Sequence, residues 1–379
     1  MLCVSVMPIP SEAGGLPNID KNAVFKEAQL RLSLELLKEK LAENEDNVII
    51  SPFSIYMIAN MLANGSQNET LAKLKEKITD PEGKLSLADV NRFLTEYMGN
   101  LSKAVEINNS AWGSFRFDYI RTIKSLKSDI FVLPKSTKKI NEWIEKKTHG
   151  QIRDILPVKD TKPRDLFLVN TVYFNDKWQQ TFKSHNTEAR DFYSLRSGKT
   201  DLVKMMYQKQ YDALYYENDK LQAIRLLYQK DDNHIDIILP KKELDFKKTI
   251  AELTARDLQF DYQYLEEPLR IFLPRFKISN RFSLNDYFKK LQVPLFIEDK
   301  NRDLTPMCGI ECYVMDILHQ ANIALDEDGT VAAAATVSRM FIGSVAESKK
   351  PKIFNANHPF IYIINDGLFA GAYVNGVMY

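Results

Sequence analysis

Cys308 and Cys312 stand four residues apart, and His319 follows them in the same stretch. Thiolate and imidazole side chains bind tetrahedral zinc, and paired thiols also make disulfides. The third cysteine, Cys3, lies at the other end of the chain. This is a poor disulfide framework and a poor zinc pattern. The expectation is two free thiols in or near a strand, and no metal site. The other histidines, His149, His185, His234 and His358, show no ligand spacing with Cys or Glu. There is no G-x-S-x-G elbow, no phosphate-binding glycine loop and no paired-carboxylate motif. Only 14 glycines are present, too few to suggest ligand-cradling loops. A hydrolytic enzyme is therefore poorly supported, and no cofactor is expected.

A different stretch carries more information. The acidic, β-leaning run Leu325-Asp326-Glu327-Asp328 gives way to Gly329-Thr330, then to Val331, Ala332, Ala333, Ala334, Ala335 and Thr336. Alanine runs normally form helix, and Thr330 could cap one. Yet no helical period surrounds this run. The alternative is a hinge feeding a long exposed loop, whose small side chains could slide between two strands without steric conflict. From Val331 to Ser338 this segment carries no charge, and Arg339 is its first charged residue.

The elements around these residues are legible from period and punctuation. Apolar residues at Leu30, Leu34, Leu37 and Leu41 share one helical face within Ala23–Ala42. Val48-Ile49-Ile50 is a buried strand. Ser51-Pro52 starts a helix that runs to Asn64, with Ser51 as cap and Pro52 in the first turn. Leu71–Ile78, Val90–Gly99, Lys138–His149 and Ser283–Leu291 are expected helices. Val105–Trp112, Leu166–Phe174 and four runs between Leu202 and Leu239 are expected strands. Leu269–Ile278 is one strand bent at Pro274, and Ala321–Asp326 leads into the hinge. Phe360–Ile364 and Leu368–Val374 form a hairpin across Asn365-Asp366-Gly367. Helices fill the first third and strands the rest, which indicates one α+β domain.

Size and charge remove some partners. The 379 residues can bury a large core, and 45% are hydrophobic. A net charge of +1 offers no argument for nucleic acid or a membrane surface. No apolar run reaches the roughly 18 residues of a membrane helix. Met1–Pro10 is a poor signal peptide. Sequons begin at Asn64, Asn68, Asn100 and Asn108, with Asn64 and Asn68 in a polar loop. They tilt the chain towards secretion, with a cytoplasmic location as the alternative. Lys73, Lys75 and Lys77 could bind a sulfated polysaccharide, although a solvated helix face is favoured.

Several separated segments together resemble the serpin family. Ile50–Ile55 is similar to the start of the family's buried second helix, and Ile140–Ile152 to the helix lying across the main sheet. Leu168–Phe174 with Trp178 resembles the third strand of that sheet and the tryptophan at its top. Leu318–Ala321 resembles the fifth strand, Glu327–Ala335 the hinge, and His358-Pro359-Phe360 the start of a C-terminal strand. The motifs keep the family's order and cover nearly the whole chain.

The resemblance implies a serpin fold over 1–379: helices packed on a large mixed main sheet, with two smaller sheets and an exposed reactive loop. Residues 1–22 would be an N-terminal extension and 327–353 the hinge and loop. It implies a monomeric suicide-substrate inhibitor, not an enzyme. The loop is cleaved, traps a serine protease as a covalent acyl-enzyme, and inserts between the third and fifth strands. Glu327, Gly329, Thr330 and Ala332–Ala335 match the hinge, with Thr330 expected to be the first side chain buried on insertion. Ser51, Ser54, Asn170 and His319 match the buried shutter, and Trp178 the breach. Family spacing puts the scissile bond between Gly343 and Ser344, but the loop looks a few residues longer than usual. Met340 or Phe341 would attract a chymotrypsin-like protease, and Gly343 an elastase-like one. A bond after Gly343 would place Ile342 where papain-like cysteine proteases read. A non-inhibitory serpin (a carrier, storage protein or chaperone) is a further alternative, against which the hinge composition argues.

Overall fold

The computed structural model describes residues 21–148, 150, 153–230, 232–241, 245–265, 267–297, 302–330 and 351–377. Helix α1 (Lys21–Glu43) leads into strand β1 (Val48–Ile50) and helix α2 (Pro52–Asn64). Ser51 caps α2: its Oγ accepts from the Ser54 N–H at 3.2 Å, and Pro52 occupies the first turn, where no N–H is needed. Every α2 residue from Pro52 to Ala63 is buried. Its sequence is apolar almost all round, which only a helix enclosed on all sides can sustain. Short α3 (Asn68–Leu74) passes into a π-helical turn, Lys75–Thr79, and α4 (Leu87–Asn100) opens with a Ser86/Asp89 capping box.

Next come β2 (Val105–Gly113), α5 (Phe117–Ser125), β3 (Asp129–Val132), α6 (Lys138–Lys147), β4 (Asp165–Phe174) and β5 (Asp176–Lys177). Strands β6 (Glu188–Tyr193), β7 (Thr200–Gln210), β8 (Leu214–Glu217), β9 (Leu221–Leu227) and β10 (His234–Pro240) follow, then α7 (Phe246–Glu252) and β11 (Gln263–Tyr264). The remaining elements are β12 (Leu269–Pro274), β13 (Phe276–Ser283), α8 (Asn285–Lys290), α9 (Thr305–Cys308), β14 (Tyr313–Leu325), β15 (Gly329–Thr330), β16 (Ile353–Asn355), β17 (Phe360–Ile364) and β18 (Phe369–Tyr373).

The strands form three sheets. The main sheet runs β3-β2-β4-β14-β15-β5, with β13 on the other edge of β14. It is mixed: β4 pairs parallel with β14, while β2–β4 and β13–β14 are antiparallel. A second sheet, β1-β18-β17-β10-β9-β8-β11, matches it in strand number, but its strands span seven residues at most. The third is β16-β12-β7-β6. One large core joins α1, α2 and the second sheet to one face of the main sheet. Helix α6 covers the opposite face, where Ile140, Trp143 and Ile144 pack with Phe167, Val169 and Leu318. The alternation along β4 and β14 thus serves two cores at once.

Several expectations need correction. Leu269–Ile278 is not one bent strand. Pro274 ends β12 in the third sheet, Arg275 turns the chain, and Phe276 begins β13 in the main sheet. Helix α1 starts at Lys21, inside the expected extension, and Ile353 lies in β16 rather than the loop. Cys308 and Cys312 are not free thiols but a disulfide, with Cα atoms 6.4 Å apart between the end of α9 and the foot of β14. The turn that lets them meet is Gly309 at φ +76°, a conformation glycine adopts without strain. That pairing removes them as partners for His319. Asn64 lies in no loop: it is the last residue of α2, and its Nδ2 donates to Asn60 O and Asn91 Oδ1. Asn68 is the first residue of α3 and is exposed.

Candidate functional site

The seam between β4 and β14 runs down the middle of the main sheet. Eight parallel pairs join it, from Tyr313↔Asp165 at the foot to Ala321↔Val172 at the head. Beyond Val172 the strands part. Leu325, further along β14, pairs instead with Thr330 of β15, and β15 pairs in turn with Asp176–Lys177 of β5. Two residues of the expected hinge therefore already stand in the sheet at the head of this seam.

A compact turn places them. Asp326 Oδ1 accepts the Asp328 and Gly329 N–H groups at 3.0 and 3.2 Å, and the Asp326 N–H donates to Gly329 O. Burial raises the Asp326 pKa, against the pull of those two backbone donors. Gly329 is required by close approach, since a Cβ there would overlap the Asp176 carbonyl oxygen and lie 2.7 Å from Lys177 Cα. Trp178 grips the turn twice: its backbone N–H donates to Asp328 O and its indole Nε1 to Asp326 O at 2.8 Å. The indole stacks on Tyr228 with centroids 4.5 Å apart, and the Tyr228 hydroxyl bonds Thr330 Oγ1 at 2.7 Å. Glu327 accepts from Thr187 Oγ1 at 2.7 Å and lies 3.6 Å from Arg275.

Thr330 is fully buried. This corrects the expectation that it enters only on insertion: it already faces the large core. Ala332–Ala335, Arg339, Met340, Phe341, Gly343 and Ser344 lie outside the described residues.

Ser51, Ser54, Asn170 and His319 converge as one fully buried cluster. The Ser51 backbone N–H donates to His319 Nε2 at 3.0 Å, so Nε2 is the unprotonated nitrogen. His319 Nδ1 therefore carries the proton and donates to Asn170 Oδ1 at 2.9 Å. Ser51 Oγ lies 2.9 Å from Ser54 Oγ and 2.6 Å from the Leu368 carbonyl. Asn170 Nδ2 donates to Asn109 Oδ1 at 2.8 Å, and Asn109 stands directly opposite Asn170 in the register. The chain of bonds thus ties the β17–β18 turn, the start of α2, and β14, β4 and β2 together. Asn109 was missed in the sequence. Its signal was an amide on the inward face of a strand that also carries Ala111.

Burial without a charged partner lowers the His319 pKa to about 3. The neutral ring is what folding favours. Its contribution is complete above the ordinary histidine pKa and is lost as pH falls towards the folded value. Between pH 6.5 and 5 the loss is about 2 kcal/mol. We expect native protein to lose about that much stability over the interval, and His319→Gln to lose less. Urea unfolding of both proteins at pH 7 and pH 5 checks this. An equal acid sensitivity in the variant would assign the effect to other histidines.

Other expected sites are less distinctive. Lys73, Lys75 and Lys77 each lie within ion-pair distance of Glu76 or Asp80, as on a solvated helix face. His234, Asp236 and Asp366 converge, but Arg225 holds Asp236 with two bonds and Lys26 lies 3.0 Å from Asp366. Those cations already neutralise the carboxylates a metal would need.

A family model described as "Serpin (serine protease inhibitor)" matches residues 27–376. An uncharacterized serpin-like protein of Thermococcus kodakarensis is 30% identical, covering 97% of this chain and 91% of its own. A horse (Equus caballus) protein named leukocyte elastase inhibitor is 29% identical, over 84% of this chain and 89% of its own. Among solved structures, the thermophilic serpin tengpin in its native state superposes with a TM-score of 0.80 at 26% identity, covering 94% of this chain and 95% of its own.

Proposed function

The chain belongs to the serpin family, and on that premise we propose that it is an irreversible suicide-substrate inhibitor of serine proteases. One observation carries the reading: β15 stands at the head of the β4–β14 seam, antiparallel to β14, with Thr330 buried against Tyr228. A cut further along would release the chain beyond Thr330 to continue down that seam as a new strand. The residues that would follow, Val331 to Ser338, carry no charge to desolvate. Alternate positions would face the large core, as Thr330 does, and the others would face α6. The Ser51–His319–Asn170 cluster bridges the seam and would have to yield before the strand could pass. The polar grip of Trp178 on Asp326 and Asp328 would hold the hinge in place until cleavage.

The Cys308–Cys312 disulfide supports an oxidising, extracellular setting. Among the described residues no helix is long and apolar enough to cross a membrane.

Incubation with chymotrypsin, pancreatic elastase, trypsin and papain, followed by a denaturing gel, tests the proposal. A covalent complex with any serine protease is expected. Clean loop cleavage by all of them, without complex, would make the chain a substrate-like, non-inhibitory serpin. A complex with papain alone would move the target class to cysteine proteases.

Specificity follows from the loop's side chains. Gly343 has nothing to bury in a specificity pocket, whereas Phe341 in an apolar slot contributes about 2–3 kcal/mol. We therefore favour cleavage after Phe341 or Met340. Replacing both by Ala should slow inhibition of chymotrypsin at least about tenfold, since about 1.4 kcal/mol is a factor of ten. An unchanged rate, with cleavage mapped by mass spectrometry after Gly343, would pass the assignment to elastase-like or papain-like enzymes.

A further inference from the structure

The foot of the β4–β14 seam is closed by more than its strand ladder. The Tyr313 N–H of β14 donates to the carbonyl of Arg164, just before β4, at 2.9 Å. Arg164 lies 3.5 Å from Glu311, and Glu311 accepts from Arg302 Nε at 2.8 Å. The Cys308–Cys312 disulfide adds a covalent tie from the foot of β14 to α9. Helix α9 is in turn bonded to the other side of the seam. Met307 O accepts the Arg116 N–H at 2.9 Å, where the chain passes from β2 into α5, and the Met307 N–H donates to Gly65 O at the end of α2. Met307 is fully buried there, and a Cβ on Gly65 would overlap its side chain. Strand β2 is the partner of β4. The disulfide thus holds the foot of β14 to the half of the main sheet from which β14 must part if a strand is to enter.

Lengths give this tie its meaning. Neighbouring strands lie about 4.8 Å apart, so one added strand moves β14 from β4 by about that much. The Cα atoms of Cys308 and Cys312 stand 6.4 Å apart, and a closed disulfide allows no more than about 7 Å. Once it is open, only the backbone between them remains as a tether, and four residue steps extend to about 13–14 Å. The slack gained exceeds one strand spacing. The cross-linked loop is also short, with a sequence separation of 4, and cross-links over short loops constrain the unfolded chain least. This bond therefore controls local geometry more than global stability. Both cysteines are buried, but the turn between them is at the surface, with Gly309 exposed and Ile310 51% exposed. That turn gives a reductant its approach.

We propose that Cys308–Cys312 is a redox-operated clamp on the foot of the seam. Closed, it keeps β14 beside β4 there. Opened by a dithiol, it gives β14 the slack that a full-length inserted strand needs. One thiolate of the dithiol attacks a cysteine sulfur, and its second thiol resolves the mixed disulfide. Two electrons and two protons end on Cys308 and Cys312, and the dithiol leaves as its own cyclic disulfide. The clamp stands on geometry alone, whereas its effect on insertion rests on the inhibitory reading above.

The test compares three proteins by amide hydrogen exchange: the oxidised chain, the chain held in excess dithiothreitol, and Cys308→Ser/Cys312→Ser. Alkylation and mass spectrometry first confirm that dithiothreitol frees Cys308 and Cys312. Exchange at the foot, in peptides covering 165–168 and 313–317, should quicken at least about tenfold on reduction. The double variant should match the reduced chain and ignore dithiothreitol. Peptides covering 235–238 and 361–364 of the second sheet should not change. Equal exchange at the foot in all three proteins would overturn the clamp. So would a native disulfide that dithiothreitol cannot open, or exchange that quickens equally in the second sheet.

A second readout follows the effect on insertion. The gain in melting temperature when the loop is nicked should be larger in the reduced chain than in the oxidised one. An equal gain would show that the foot does not limit the inserted strand. If exchange responds as expected but no protease forms a covalent complex in either redox state, the clamp stands and the inhibitory reading falls. If complex forms and exchange at the foot does not respond, the clamp alone falls.

Discussion

If the proposed inhibitory function holds, Thr330→Arg should turn this chain from an inhibitor into a substrate. Thr330 is fully buried and its hydroxyl meets that of Tyr228 at 2.7 Å. A guanidinium at this place would have no anion to pair with, and burying it would cost about 3–5 kcal/mol. The variant should therefore expel β15 from the sheet and resist its return. At about 1.4 kcal/mol per factor of ten, insertion would slow by about two orders of magnitude or more. The acyl-enzyme would then hydrolyse before the loop could enter. Covalent complex on a denaturing gel should vanish while loop-cleaved chain accumulates. Thr330→Val is the matched control: it loses the hydroxyl bond but keeps the size, and complex should still form. Full complex yield from the Arg variant would show that burial of this side chain does not gate insertion.

Cleavage of the loop should raise the melting temperature by about 5–10 °C. A strand entering the β4–β14 seam adds several ladder hydrogen bonds, each worth about 1 kcal/mol net. For a chain of 379 residues each kcal/mol moves the midpoint by about 1 °C. On the proposed inhibitory reading the intact state would be held by a barrier rather than by its depth, so both forms must be heated at one scan rate. Circular dichroism of intact protein and of protein nicked once in the loop makes the comparison. Equal midpoints would mean that the cut loop stays outside the sheet.

Much of this was legible in the residues. Ser51-Pro52 announced the start of α2 because the cap and the missing N–H are both local chemistry. Asn365-Asp366-Gly367 announced the β17–β18 hairpin for the same reason, with Asn365 and Asp366 both at positive φ. Long-range register was less legible. Nothing local says that the chain changes sheets at Arg275, where the turn is fixed by a bond from its N–H to Lys204 O. Residue pattern alone gave strand β14 only from Ala321, and the resemblance extended it back to Leu318. Its lower half carries Asp316, whose partner is the Ser283 hydroxyl on the strand beside it, so its alternation is blurred. The disulfide was missed because a spacing of four does not reveal the turn at Gly309. The residues expected to form a shutter were picked out by resemblance. Only their burial and register make sense of a polar cluster without solvent, and Asn109 joins it through pairing with β4.

The parallel seam also fixes when the proposed insertion becomes irrevocable. Strand β15 runs against β14, so a continuing strand would replace one parallel ladder by two antiparallel ones. Each rung broken would be followed by two made. The unzipping front would start at Ala321↔Val172, pass Gln320↔Thr171, and meet His319↔Asn170 as its third rung. At about 3.3 Å per residue, the latch is reached after about 7 Å of travel, long before the strand is complete. On the proposed mechanism a loop that stalls above that rung could back out, whereas one that passes it would meet five further pairs without such a polar latch. The race between enzyme escape and capture would then be decided by the first three of the eight residue pairs, near the head of the sheet, not by the length of the loop.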